Sequence, residues 1–142
     1  MKKVLIGIIL IVSLSIAYYL ISPAFKVVEL NEELLVEDVI NTLSQGNFVP
    51  SAHEVAGKAV LVETNDKKIL RFENFETING PDLHIYLSSD LEAADYIDLG
   101  KIKATKGNVN YELSQDADLK KYNKVLVWCE PFKVLFSYAE LK

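Results

Sequence analysis

A chain of 142 residues and 16.0 kDa is long enough for one ordinary domain and too short for two. Half of it is hydrophobic, a quarter is charged and 10% is aromatic, which excludes a disordered tail and supplies the material of a packed core. The net charge is −5, and without Lys2 and Lys3 the balance is 13 basic to 20 acidic residues, or −7, so the body repels phosphate backbones and a nucleic-acid partner is not expected.

Met1-Lys2-Lys3 is followed by Val4 through Ile21, eighteen uncharged residues diluted only by Gly7, Ser13 and Ser15. As a helix this run is about 27 Å long, close to the thickness of a hydrocarbon core. Tyr18 and Tyr19 suit an interfacial position, and the lysine pair predicts a cytoplasmic N-terminus with everything after Pro23 exported. Residues 1–22 are therefore expected to be a single-pass membrane anchor. The alternative is a cleaved signal peptide with Val4–Leu14 as its apolar centre and Ser15-Ile16-Ala17 as its cleavage site, which would leave a secreted domain.

Residues 23–45 read as a connector built on an amphipathic helix over Glu29–Gln45. Leu35, Val36, Val39, Ile40 and Leu43 recur at spacings of three and four, Asn31 is the expected N-cap, and Gly46 the expected stop. Such a helix either docks on a partner or packs on its own domain. From Gly46 the pattern changes to short runs rich in Val, Ile, Phe and Tyr. Seven strands are expected: Lys58–Glu63, Ile69–Phe75, Leu83–Ser88, Tyr96–Leu99, Val109–Leu113, Lys124–Cys129 and Lys133–Ala139. Thr64-Asn65-Asp66-Lys67 and Asn79-Gly80-Pro81-Asp82 are the sharpest turns between them. The expected fold is all-β, an antiparallel sandwich or barrel-like domain over 46–142.

One Cys, two His and a single Met exclude a disulfide framework, a Cys-rich zinc site and a c-type haem attachment motif. No spacing gathers three metal ligands, and Gly-x-Ser-x-Gly is absent. Cys129 is the one thiol. Alternation in Val125-Leu126-Val127-Trp128-Cys129 puts it on the face of Val125 and Val127, either as a small buried hydrophobe or as a reactive centre in a covered pocket. His84 projects opposite Leu83, Ile85 and Leu87, beside Tyr86, and His53 precedes the first of the seven strands. Each is a candidate ligand or proton relay, or a hydrogen-bonded structural histidine. Asp82 and the asparagines of Gly107-Asn108-Val109-Asn110-Tyr111 either line a site or satisfy loop backbone.

These segments together resemble the DM-thirteen domain, a family described as an electron-transfer domain of extracellular proteins. The resemblance rests on Gly46-Asn47-Phe48 with His53 and Gly57, and on Leu70-Arg71-Phe72-Glu73-Asn74-Phe75. It continues through Asn79-Gly80-Pro81-Asp82-Leu83-His84-Ile85-Tyr86-Leu87, Asp98-Leu99-Gly100, Gly107-Asn108-Val109-Asn110-Tyr111, Val127-Trp128-Cys129 and Phe136 to Leu141. It implies a membrane-tethered redox module centred on Cys129, either as a bare thiol or as the ligand of a haem with His84 or His53 opposite. A redox or protein partner is implied but not identified. Where the family commonly has Gln this chain has Val109. The alternative is a non-catalytic extracellular binding or adhesion domain in which Cys129 is only packed.

Overall fold

The computed structural model describes residues 2–22, 26–34, 39–65 and 67–142. Helix α1, Lys2–Ile21, is 20 residues long, wholly uncovered by protein, and apolar enough to cross a membrane. Its two serine hydroxyls bond back along the helix, Ser13 Oγ to the Ile9 carbonyl at 2.8 Å and Ser15 Oγ to that of Ile11 at 2.9 Å. Neither therefore carries an unmet polar group outward.

The rest is one nine-stranded sheet. The strands are β1 (Glu29–Asn31), β2 (Val39–Pro50), β3 (Val55–Thr64), β4 (Lys68–Thr77), β5 (Leu83–Ser88), β6 (Tyr96–Lys101), β7 (Lys106–Leu113), β8 (Lys124–Cys129) and β9 (Val134–Glu140). Their order is β1-β7-β4-β3-β2-β9-β8-β5-β6, antiparallel throughout except for the parallel β1–β7 pair. All seven expected strands are present, two of them with the expected bounds.

The expected helix over Glu29–Gln45 is not formed. Glu29–Asn31 and Val39–Pro50 are strands, and residues 35–38 of that expectation lie outside the described residues. The reason is tertiary. The first part of β2 pairs with β3 from Val39↔Thr64 to Asn47↔Lys58, and its last three residues pair with β9 from Phe48↔Ala139 to Pro50↔Ser137. β2 thus carries the sheet round the bend that lets it curl. Gly46, expected as a helix stop, lies inside this strand, where an added Cβ would sit 2.1 Å from the Glu140 carbonyl oxygen.

The curled sheet encloses one main core on its inner face. Phe48, Phe72, Phe75 and Tyr111 form its aromatic centre, with ring centroids 4.9–5.1 Å apart. Val125, Val127 and Cys129 join this core, whereas Leu126 and Trp128 pack outside with Tyr86, as alternation along β8 requires. Val109 is also a core residue.

The two asparagines beside Val109 clasp β1 onto β7. Asn108 Oδ1 accepts from the Asn74 amide at 2.9 Å, and the Asn108 amide donates to Asn31 Oδ1 at 3.1 Å. Asn110 receives Arg71 Nη1 at 2.9 Å and donates its own amide to Glu32 Oε2 at 2.7 Å. These side chains satisfy backbone and neighbouring strands.

Candidate functional site

Most of the chemistry-bearing residues gather at one end of the sheet. β5 begins and β8 stops there, with Leu83 paired to Cys129, and β6 ends there with Lys101 opposite His84. The loops 51–54, 78–82, 102–105 and 130–133 close this end, joined by segment 26–28 just ahead of β1. Val28 accepts from the Thr105 amide at 2.8 Å, and Asn79 Nδ2 donates to the Lys26 carbonyl at 3.3 Å.

Cys129 is the last residue of β8. Strand pairing stops because Pro131 follows closely and has no N–H to give, while the Glu130 amide turns to the Asp82 carbonyl at 3.0 Å. The residue is 0% exposed. Burial pushes its thiol pKa up. The backbone amides of Phe132 and Asp82 pull the other way without overcoming it, and the Asp82 carboxylate adds to the rise. The turn above it, 130–133, is tied by an ion pair between Lys133 and Glu130, and Lys133 takes a φ of 51°.

Asp82, His84 and Asp98 form a connected group on the outer face. Asp98 Oδ2 lies 3.0 Å from His84 Nδ1, Asp82 Oδ1 lies 3.6 Å from His84 Nε2, and Lys101 Nζ reaches Asp82 at 2.8 Å. The Lys101 ammonium, more than the imidazole, holds the Asp82 carboxyl below the usual aspartate range. Asp98 is fixed in turn by the Gly100 amide at 2.8 Å. Asp82 and His84 are two residues apart on one strand face, a spacing visible in the sequence. Asp98 arrives through the β5–β6 pairing; the sequence marks it only as part of Asp98-Leu99-Gly100 in the family resemblance, with nothing to tie it to His84.

His53 sits elsewhere at this end, its ring 4.0 Å from that of Phe136 and its amide bonded to the Phe136 carbonyl at 3.1 Å. Gly80 is packed so tightly that a Cβ would lie 2.9 Å from Leu83 Cδ2 and 3.1 Å from Phe136 Cζ. Asn79, Gly80 and Pro81 therefore shape the end, while Asp82 takes part in the ionic group.

Cys129 and His84 do not come together. They project from opposite faces of adjacent strands, and the sulfur is enclosed by core residues. None of five surface clefts is lined by Cys129. A haem would need an accessible ligand sulfur and a broad slot beside it, and the enclosed Cys129 fits neither. Among the described residues no group of three His, Cys, Asp or Glu is arranged to hold a metal ion.

The class of protein these features define is an all-β domain with its single thiol under a turn at one sheet end, preceded by a helix of membrane-spanning length. The family profile described as Electron transfer DM13 matches residues 47–141. The chain belongs to this electron-transfer DM13 family. Comparison with curated proteins and with solved structures gave no match.

Proposed function

We propose that this chain is an electron-transfer module held outside the cytoplasm by α1, with its N-terminus cytoplasmic and Cys129 as its redox sulfur. The observation that supports this most is the placement of the sole thiol. It lies at the end of β8 beneath the four-residue turn 130–133, in a chain whose family carries the electron-transfer description. With one sulfur the module has to exchange with a disulfide on a partner. The Cys129 thiolate attacks one partner sulfur, a mixed disulfide forms, and the other partner sulfur leaves as a thiolate; a second, external thiolate then attacks the Cys129 sulfur, the partner leaves as a reduced dithiol, and Cys129 is left in a disulfide with that thiol. The turn has to lift for that attack, and the apolar packing keeps the thiol from idle oxidation between encounters.

Incubation of the folded full chain with a small aromatic disulfide tests this. Local lifting of the turn gives mixed-disulfide formation at Cys129 faster than global unfolding and nearly independent of low urea. Reaction only at the global unfolding rate would remove the redox reading. The complete burial of Cys129 favours the second reading, a binding domain with a packed thiol, and that result would leave it in place.

A further inference from the structure

We propose that the Cys129 end of the β domain rests on the lipid surface, so that the turn over the thiol faces the membrane. This builds on the reading of α1 as a membrane anchor. Only three residues separate Ser22, at the end of α1, from Lys26, whose carbonyl is already bonded to Asn79 on the domain. Four backbone steps reach at most about 15 Å. Val28 is then stapled to Thr105 by bonds in both directions, its amide to Thr105 Oγ1 at 3.0 Å and its carbonyl to the Thr105 amide at 2.8 Å. A chain leaving the bilayer enters the domain at this end with no slack to turn it away.

The surface there is made for such contact. Outside α1, seven large apolar residues are exposed among those described, and four of them belong to this end: Val27 at 73%, Val28 at 43%, Ile78 at 41% and Phe132 at 55%. Phe132 is at the tip of the turn over Cys129, and its own amide is one of those directed at the sulfur. At the opposite end loops 89–95 and 114–123 expose none of that size, and Tyr96 at the start of β6 is 40% exposed. Four lysines at this end are engaged, Lys101 with Asp82, Lys133 with Glu130, Lys103 with Glu32 and Lys106 with Glu76, and Lys26 beside Val27 is exposed with no ion pair among the described residues. With four of these five lysines paired the contact is mainly apolar, and the fitting occupant is the interface of an uncharged bilayer, which apolar side chains enter to the headgroup boundary while Lys26 stays at headgroup level.

The test uses the full chain in phosphatidylcholine vesicles with lipids brominated high on the acyl chain. Two surface variants each add one tryptophan to the native Trp128: Phe132→Trp at this end and Lys120→Trp at the other. The emission added by Phe132→Trp is expected to be blue-shifted and quenched several-fold more than that added by Lys120→Trp, and insensitive to salt. Equal quenching of both, or none, overturns the inference while leaving the anchor intact. A chain that fails to float with the vesicles overturns the anchor itself. Should Phe132→Trp fold poorly, Ile78→Trp reads the same face.

Discussion

Gly107 is a position where one added methyl group meets both a backbone clash and an unfavourable φ. Its φ is +113°, and a Cβ there would sit 2.1 Å from the Leu30 carbonyl oxygen in β1. Gly107→Ala therefore meets two costs. The backbone angle alone disfavours an L residue by about 1–2 kcal/mol. The clash also pushes β1 away from β7 and breaks the clasp: the Glu32 amide to the Asn108 carbonyl at 2.8 Å, the Asn108 amide to Asn31 Oδ1, and the Asn110 amide to Glu32 Oε2. Three such bonds at a net value near 1 kcal/mol each bring the expected loss to about 4–5 kcal/mol, a third or more of an ordinary domain's stability. Urea unfolding of the full chain in detergent micelles, followed by Trp128 emission, measures the loss. Amide exchange should show unprotected Asn108 and Asn110 while β5 and β8 stay protected. A loss below about 1 kcal/mol with those amides still protected would refute the reasoning, since it would mean that β1 accommodates the methyl group where it lies.

Three further outcomes follow from the same geometry. Ser137 Oγ is enclosed and has no hydrogen-bond partner among the described residues, so Ser137→Ala should be neutral or stabilising by up to about 1 kcal/mol in urea unfolding; a clear loss would show an unseen partner. Disulfide exchange at Cys129 should keep rising with pH beyond the range where an exposed thiol levels off, because burial raises its pKa; a plateau at the ordinary thiol value would contradict that. The depressed Asp82 pKa gives stability that is full above the unfolded carboxyl value and fades as pH falls through the lower folded value. Lys101→Ala should move the Asp82 carboxyl back up in an NMR titration, at a stability cost under about 1 kcal/mol because Lys101 is largely exposed; an unmoved carboxyl would deny Lys101 its leading role.

The strands from β3 onward were legible because each carries its own alternation and its own turn residues. In β8 that alternation correctly set Cys129 inward and Trp128 outward, and in β5 it set His84 outward. β2 was not legible for a physical reason. Register shifts fall between Val39 and Asn41 and again between Thr42 and Ser44, and each extra residue breaks the period of two. The surviving spacings of three and four imitate a helix. The ionic group around His84 was half visible, Asp82 by its spacing and Asp98 only through strand pairing. The burial of Cys129 was legible from its apolar neighbours, whereas the turn that closes over it and the apolar end beside it could not be read from the chain, since both depend on which loops meet.

The double pairing of β2 also sets a timetable for the molecule. Its first part finds β3 a few residues away, but Phe48, Val49 and Pro50 wait for β9, some ninety positions later. Until β9 arrives, β8 lacks one of its two neighbours and the sheet is split into β1-β7-β4-β3-β2 and β8-β5-β6, with the core around Phe48 and Phe72 uncovered on one side. Contacts of such long sequence separation form slowly and late. If the domain is exported as proposed, the chain would remain pliable for nearly its whole length in a translocation channel, and would lock only when β9 slid in between β2 and β8.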